Sequence, residues 1–424
     1  MKLNYPKTFL LGFGFFGVSV LWAIYNAFVP IFLSQRFHLE PGLIGFIMTL
    51  DNIAALFIQP PIGALSDRIR TPIGRRMPFI LVGAPIAAIA FALVPMAQAL
   101  PLFIVSIVTM LLAMAAFRTP VIALMPDIIP SALRSQANGV INFMGGVGAI
   151  IAFLVGSSLY EKSPDLPFWV GAALIVLASA LVLIFIREPK EYGAVPEEEA
   201  GVIRNLQIIA ADQDKSALRL LFAIFFWFLG YTAIEAFFTL YGTNHLGLSE
   251  AESARQLGDL SLLFVLAAIP SGLIAARIGR RVTISAGIIL LGALLLVIFF
   301  LPPEALTIAL TRLPVLGTIR VISALLMVGG VAWALININS LPMVVDAAPQ
   351  DRLGTYTGLY YFFSTLSAIV GPISNGWVVQ LTGNNYNAVM LLAPVFMVVA
   401  LACMWGVRKG EALVSASVKL GSTS

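Results

Sequence analysis

Long apolar runs, separated by short clusters of polar residues, dominate the pattern of this chain. A helix needs about 20 mainly apolar residues to cross the hydrocarbon core of a bilayer. Runs of this kind occur twelve times, so the sequence predicts an all-α membrane protein with twelve transmembrane helices. Short alternating segments, which are typical of β-barrels, do not occur. The predicted spans are 8–34, 41–64, 77–97, 101–126, 136–160, 166–187, 217–243, 252–276, 282–301, 318–345, 353–381 and 386–408.

The longest polar connection divides these spans into six and six. It predicts an N-terminal bundle over 1–187, a cytoplasmic central loop over 188–216, a C-terminal bundle over 217–410 and a polar tail over 411–424. Within the loop, Val202, Ile203, Leu206 and Ile209 recur at helical spacing. They predict a short amphipathic helix, which either lies on the inner membrane surface or is a helical turn of a linker.

Composition excludes the soluble classes of protein. Of 424 residues, 59% are hydrophobic and 11% are charged, against about 45–50% and about 25% in soluble domains. A soluble enzyme and a nucleic-acid-binding protein are both excluded, and nothing indicates catalysis. One cysteine, Cys403, excludes a disulfide framework, and His38 and His245 are too few for a histidine-rich metal site. We therefore expect no metal and no cofactor.

The positions of Lys and Arg predict the orientation in the membrane. With both termini in the cytoplasm, nineteen basic residues lie on the inner side, five lie on the outer side, and Arg118 inside a span completes the 25. The outer five are Arg36, Lys162, Arg255, Arg312 and Arg320. The sequence thus predicts a multi-pass protein of the plasma membrane, expected to be monomeric, whose first span is retained as a mature helix.

Two weak repeats relate the halves. The loop after span two ends in Gly74-Arg75-Arg76, and the loop after span eight ends in Gly279-Arg280-Arg281. Asp127, Pro130 and Gly139 after span four have the spacing of Asp346, Pro349 and Gly358 after span ten. Arginines at such positions can bind the unpaired carbonyls of helix ends, and Asp67 can pair with an arginine of a neighbouring helix as a latch. Anchoring to lipid phosphate accounts for Arg280 and Arg281. The predicted gating residues are Gly63, Asp67, Arg68, Arg75, Arg76, Asp127, Arg134, Arg277, Asp346 and Arg352.

The loop between spans two and three has the pattern G-x-x-x-D-R-x-x-x-x-x-G-R-R, from Gly63 to Arg76. This pattern resembles the signature loop of the major facilitator superfamily. The wider string, from Gln59-Pro60 to Phe79-Ile80, is similar to the sucrose/proton symporter branch, near the glycoside–pentoside–hexuronide cation symporters. The resemblance implies a major facilitator fold of two six-helix bundles. Plant members of that branch carry R-x-x-x-x-D late in span four, whereas here Arg118 precedes Asp127 by nine residues.

Ionisable residues inside the spans are candidates for ion coupling, because a charge at mid-bilayer costs about 2.5–3.5 kcal/mol on insertion scales. At about 1.5 Å rise per residue, Asp51 and Arg118 lie roughly 20 Å and 12 Å from the inner ends of their spans. They form the leading buried pair, either as a proton carrier or as a static pair that fixes packing. Glu235 is the second candidate, for protonation or for binding hydroxyls. Asp259 is expected to face water.

Amides and aromatic rings deep in the spans predict a site for sugar, since sugars are bound by bidentate polar groups and an aromatic face. Interfacial belts are the alternative interpretation for Trp and Tyr. A G-x-G-x-x-G string, Gly12 to Gly17, lies inside an apolar span and predicts close helix packing instead of a nucleotide site. The predicted substrate-binding residues are Trp22, Tyr25, Asn26, Asn138, Asn142, Trp333, Asn337, Asn339, Tyr356 and Tyr360.

Together these features predict a secondary active transporter that imports a sugar or glycoside with a proton by alternating access. Its predicted partners are a small-molecule substrate, the proton and the lipid bilayer. Two alternatives remain: a proton-driven exporter of small hydrophobic compounds, and a non-transporting membrane scaffold or sensor. The polar interior argues against the first alternative, and the signature loop argues against the second.

Overall fold

The chain folds into helices that form two compact units, as seen in a computed structural model. The structure describes residues 3–130, 133–188, 202–212, 214–314, 316–349 and 352–410. The first unit comprises the described residues of 1–196 with 238–258, and the second comprises those of 197–237 with 259–424. The predicted polar tail, 411–424, and the middle of the predicted central loop, 189–201, lie outside the described residues.

The first unit contains seven helices among its described residues before the linker. They are α1 (Tyr5–Ile31, continued by a π-helical segment, Phe32–Arg36), α2 (Pro41–Ile47), α3 (Leu50–Arg68), α4 (Met77–Leu93), α5 (Leu100–Ile128), α6 (Arg134–Tyr160) and α7 (Leu166–Phe185).

The remaining elements follow the linker. They are α8 (Val202–Ala211), α9 (Ser216–Asn244), α10 (Glu250–Ile278), α11 (Arg280–Phe300), α12 (Pro303–Leu306), β1 (Ala309–Leu313), β2 (Gly317–Arg320), α13 (Val321–Ala347), α14 (Leu353–Leu381) and α15 (Ala388–Trp405).

Most of the predicted spans lie on helices of membrane-spanning length. Among the described residues, eleven helices or helix pairs are long and apolar enough to cross a bilayer, and Met77–Leu93 is a shorter apolar helix. Large apolar side chains point away from the protein, such as Ile269 and Leu381, which are 77% and 79% exposed. A bilayer is the solvent that tolerates such surfaces, so the prediction of an all-α membrane protein is confirmed.

Besides the span predicted at 77–97, whose helix ends at Leu93, two predicted spans differ in detail from the structure. The span predicted at 41–64 is interrupted at Met48–Thr49, where the buried Thr49 hydroxyl donates to the Phe46 carbonyl at 2.8 Å. This side chain competes with the helical hydrogen bonds of the backbone. The span predicted from 318 begins at Val321, because 317–320 pair as β2 with β1 in an antiparallel hairpin. Gly317 allows this turn with a φ of +74°.

Glycines let the helices of the first unit approach closely. In this unit α1 packs against α6 and α7, and α4 packs against α5 and α7. A Cβ atom on Gly148 of α6 would lie 2.7 Å from the Phe16 carbonyl of α1, and one on Gly12 would lie 2.8 Å from Met144. The packing role predicted for the glycines of the first span is therefore confirmed.

The linker helix α8 packs against α14 of the second unit. Its Ile209 is fully buried, so the predicted amphipathic helix exists and buries an apolar side chain within the protein. Beyond it, Asp212 pairs with Arg352 at 3.5 Å and Asp214 pairs with Lys409 at 3.3 Å. Hydrogen bonds from Ser216 lower the pKa of Asp214 to about 2, so this carboxylate stays charged at physiological pH. The linker is thus fastened to the second unit.

Candidate functional site

An ion-pair network, the arginine cluster, joins the ends of α3, α4 and α5 in the first unit. It consists of Asp67, Arg75, Arg76, Asp127 and Glu188. The Arg75 guanidinium donates to both carboxylate oxygens of Asp127, at 2.5 and 3.2 Å, and Arg76 Nε donates to the same carboxylate at 3.0 Å. Arg76 also binds Asp67, and Arg75 Nη1 lies 3.6 Å from Asp67. The structure therefore brings together four of the predicted gating residues.

Because the cluster is buried, the loss of any one of its charged partners is destabilising. The Arg75, Arg76 and Asp127 side chains are only 11%, 5% and 12% exposed. Breaking a buried pair by removing one partner costs about 3–5 kcal/mol, because an uncompensated charge is left behind. Ser66, which the sequence did not single out, contributes its hydroxyl as an acceptor for Arg76. Among the four side chains that form ion pairs in the cluster, Asp67 is the most exposed, at 26%, so its contacts are the easiest to open.

Glu188, which follows the end of α7, completes the cluster. Its carboxylate accepts the backbone N–H groups of Arg75, Arg76 and Met77 at 2.9, 2.8 and 2.9 Å. These N–H groups lie at the N-terminus of α4, which begins at Met77; a helix has unpaired donors and a partial positive charge at this end. Gly74 has a φ of +122°, and a Cβ on it would lie 2.6 Å from the Glu188 carboxyl group. Glu188 does not stand out in the sequence, because it lies more than a hundred residues from the loop that it caps.

The second unit repeats part of this arrangement. Gly279 again has a positive φ, +95°, and Arg280 of α11 pairs with Asp346 of α13 as Arg75 pairs with Asp127. Arg280 also donates to the Pro342 carbonyl at 3.2 Å. Arg280 therefore has an acidic partner within the protein, which the anchoring interpretation did not include. The internal repeat read from the sequence is confirmed as a repeated ion pair.

The other predicted gating residues lie elsewhere. Arg134 donates to the carbonyls of Pro126 and Ile129 at the end of α5, at 2.9 and 3.2 Å. Arg352 pairs with Asp212 of the linker. Gly63 packs against Thr119 of α5. Arg68 and Arg277 lie in the last turns of α3 and α10, are exposed, and form no ion pair with the described part of the chain.

A second group in the first unit surrounds Asp51. This residue lies in the first turn of α3, directly after the interruption at Thr49, and accepts a hydrogen bond from Asn52 Nδ2 at 2.8 Å. Arg118 of α5 acts electrostatically on Asp51, and Asp51 acts in turn on Tyr25 of α1. The structure thus brings Asp51, Arg118 and Tyr25 into one neighbourhood.

Two buried donors of α1 lie near this group. The Trp22 and Tyr25 rings meet edge to face, with centroids 5.7 Å apart. The Trp22 indole nitrogen and the Tyr25 hydroxyl are buried and make no hydrogen bond with any described residue. Buried polar atoms are normally paired, so an unpaired one needs an explanation. Asn26 is partly exposed on the same helix, while Asn138 and Asn142 are exposed one turn apart on α6.

Aromatic rings form a platform in the second unit. The Tyr231 ring of α9 stacks on Trp333 of α13, with centroids 3.7 Å apart and an interplanar angle of 2°. Phe228 meets Trp333 edge to face at 5.2 Å, and Glu235, one turn beyond Tyr231, acts electrostatically on the Tyr231 hydroxyl. Tyr231 was not among the predicted substrate-binding residues. Its stacking on Trp333 depends on how α9 and α13 pack.

Most of the remaining predicted substrate residues form hydrogen bonds with other side chains of the protein, and one is partly exposed. Asn339 is buried and donates to Ser271 Oγ of α10 at 2.9 Å, and Tyr360 shares a 3.1 Å hydrogen bond with Ser340. Tyr356 donates to Asp212 at 3.4 Å, which places it at the linker. Asn337 is partly exposed. Asp259, expected to face water, is 1% exposed because it lies on the packed face of α10, so that expectation is wrong.

Within the described residues, no group of three or more His, Cys, Asp or Glu side chains is placed to hold a metal ion.

Comparisons with known proteins agree on a single family. The Major Facilitator Superfamily profile matches residues 11–372, with a second match over 260–419. The chain is 23% identical over 256 residues to a Bacillus subtilis protein named multidrug resistance protein 1, and this match covers 60% of the chain and 62% of that protein. It is 27% identical over 263 residues to the general alpha-glucoside permease of Schizosaccharomyces pombe, covering 55% of the chain and 46% of that protein. The chain thus matches about half the length of these relatives.

A solved structure shares the fold. The bacterial homolog of the human lysosomal transporter Spinster, in an inward-facing and occupied conformation, superposes with a TM-score of 0.72. The match covers 96% of this chain and 97% of the other at 14% identity. At that identity, the similarity is one of fold alone.

Proposed function

The chain belongs to the Major Facilitator Superfamily, and from this premise we propose that it imports a sugar or glycoside together with a proton by alternating access. The membership itself identifies it as a membrane transporter of small molecules and not an enzyme. The proposal adds the substrate class, the coupling ion and the direction of transport.

The observation that carries the proposal is the group around Asp51. A carboxylate inside a span, within the field of Arg118 and close to the unpaired hydroxyl of Tyr25, is the arrangement that a proton carrier needs. Protonation of Asp51 removes its attraction to Arg118, and the released guanidinium then changes its contacts with neighbouring helices. Asp51 is therefore assigned as the proton site, Arg118 as its counter-charge and Glu235 as the second candidate.

The polar and aromatic groups support a sugar as the substrate. The unpaired donors of Trp22 and Tyr25 offer hydrogen bonds that substrate hydroxyls can accept. The flat platform of Tyr231 and Trp333 offers a face of the kind on which a pyranose ring stacks. A relative named as an alpha-glucoside permease and the signature string of the sucrose/proton symporter branch favour the same class.

Export of small hydrophobic compounds is the second candidate. It is favoured by the match to a protein named as a multidrug resistance protein and by the aromatic ring of Phe228 beside Trp333. The two candidates differ in substrate polarity and in direction. Under either of them, we propose that the protein is a monomer in the plasma membrane with both termini in the cytoplasm.

Transport in proteoliposomes tests the proposal. Vesicles with an imposed pH gradient, acidic outside, are supplied with labelled mono- and disaccharides and, in parallel, with a fluorescent hydrophobic cation. We expect one class of sugar to accumulate, and a proton ionophore to abolish the accumulation. Extrusion of the cation without accumulation of any sugar would contradict import of a sugar and favour the exporter.

Asp51→Asn tests the coupling on the same vesicles. We expect it to abolish uphill uptake while counterflow between equal pools survives, since exchange needs no net proton movement. Trp333→Ala is the matched substrate-site variant, and it should weaken both activities by raising KM. If Asp51→Asn still concentrates substrate, Asp51 is not the coupling residue and Glu235 is tested next.

A further inference from the structure

A basic and aromatic patch lies where α15 ends in the second unit. We call it the α15-end patch and define it as Arg219 of α9, Arg281 of α11, and Trp405 and Arg408 at the end of α15. The Trp405 side chain is 83% exposed, although it ends a membrane-spanning helix. A tryptophan at such a position is typical of the boundary between hydrocarbon and headgroups.

Two arginines of this patch are held in place by the end of α15. Arg281 Nη2 donates to the Trp405 carbonyl at 2.6 Å, and Arg219 Nη1 donates to the Gly406 carbonyl at 3.1 Å. A Cβ on Gly406 would lie 2.2 Å from Arg219 Nη1, so the glycine leaves room for this guanidinium. These charge-assisted bonds to adjacent carbonyls set two cations side by side, next to the exposed indole ring.

Two arginines of the patch, Arg219 and Arg408, form no ion pair with the described residues. The nearby carboxylates of Asp212, Asp214 and Asp346 are engaged by Arg352, Lys409 and Arg280, respectively. Among the described residues, the Arg219 side chain makes one hydrogen bond, through Nη1, and the exposed guanidinium of Arg408 makes none. Arg219 and Arg408 therefore present positive charges that no acidic side chain in the described part of the chain pairs with.

We propose that the α15-end patch binds the headgroup of an anionic phospholipid. The phosphate lies against Arg219, Arg281 and Arg408, and the Trp405 ring packs along the glycerol and the upper acyl chain. Basic pockets between transmembrane helices on the cytoplasmic side bind such headgroups, and the sequence predicts this end of the helices to be cytoplasmic. A free phosphate ion would satisfy the arginines alone, whereas a lipid also explains the exposed indole.

Lipid binding to the purified full-length protein in a neutral detergent tests the proposal. Native mass spectrometry compares phosphatidylglycerol with phosphatidylcholine of the same acyl chains. Each basic residue near an anionic surface contributes on the order of a fivefold change in affinity. We therefore expect Arg219→Gln with Arg281→Gln to weaken the tightest phosphatidylglycerol binding by about 30-fold and to leave phosphatidylcholine unchanged.

Two further variants keep the outcome interpretable. Arg408→Gln removes a side chain that makes no bond with the described part of the chain, so it preserves the fold, and it should weaken binding by about fivefold. Lys162→Gln with Arg312→Gln removes two exposed charges elsewhere and should have no effect on the tightest binding. The proposal is overturned if wild-type protein shows no preference for phosphatidylglycerol or if Arg408→Gln binds it as tightly as wild type. Displacement of the lipid by millimolar inorganic phosphate would identify a free-anion site and would also overturn it.

Discussion

Glu188 provides the sharpest test of the energetics of this fold. Glu188→Ala removes three hydrogen bonds to the backbone of residues 75–77. Loss of an ordinary capping side chain costs about 0.5–2 kcal/mol, and each hydrogen bond to a charged group contributes about 1.5–3 kcal/mol. Because the three bonds share one half-buried carboxylate, we expect the free energy of unfolding to fall by about 2–3 kcal/mol. Glu188→Gln keeps an acceptor oxygen but loses the charge, and should cost about 1 kcal/mol.

The assay is unfolding in mixed micelles, with helicity followed by circular dichroism as the mole fraction of dodecyl sulfate increases. Glu304→Ala is the matched control, since Glu304 is exposed on α12, and it should stay within about 0.5 kcal/mol of wild type. A Glu188→Ala variant as stable as Glu304→Ala would refute the capping role.

Gly74→Ala supplies an internal check on the same contact. Its Cβ would lie 2.6 Å from the Glu188 carboxyl group, at a φ of +122°. The backbone strain costs about 1–2 kcal/mol, and the clash adds to it. Removing Glu188 removes the clash, so the double variant should be more stable than the sum of the two single effects predicts. Simple additivity would show that the side chain of residue 74 does not meet Glu188.

Three further predictions concern gating, the repeat and topology. Asp67→Asn, which keeps the shape and loses the charge of the most exposed ion-paired side chain in the arginine cluster, should slow transport at wild-type protein levels; an unchanged rate would leave the latch unsupported. Exchanging the charges of Arg280 and Asp346 should restore stability lost in either single variant, with a coupling of about 0.5–1 kcal/mol for this partly exposed pair; equal instability of the single and double variants would deny the pairing. In a variant lacking Cys403, Gln207→Cys on α8 should react with an impermeant maleimide only after cells are permeabilised. Labelling in intact cells would contradict the predicted orientation.

The sequence alone determined the helices and the repeat. In a bilayer, an apolar run of this length can satisfy the hydrogen bonds of its own backbone only as an α-helix. The spans therefore followed from hydropathy. Gly74-Arg75-Arg76 and Gly279-Arg280-Arg281 stand at equivalent helix boundaries, and their spacing was enough to predict that the halves are related. The interruption at Thr49 and the hairpin after α12 were not predicted, because each depends on local hydrogen bonds within an apolar stretch.

Tertiary structure decided which side chains meet. Glu188 reaches the N-terminus of α4 across more than a hundred residues, Arg280 pairs with Asp346, and Tyr231 stacks on Trp333 of another helix. Asp259 became buried by helix packing that no local pattern specifies. Hydropathy fixes which segments enter the membrane, since that depends on each segment by itself. The rotation of each helix about its axis depends on all its neighbours, and this rotation chooses the partners of every charge and ring.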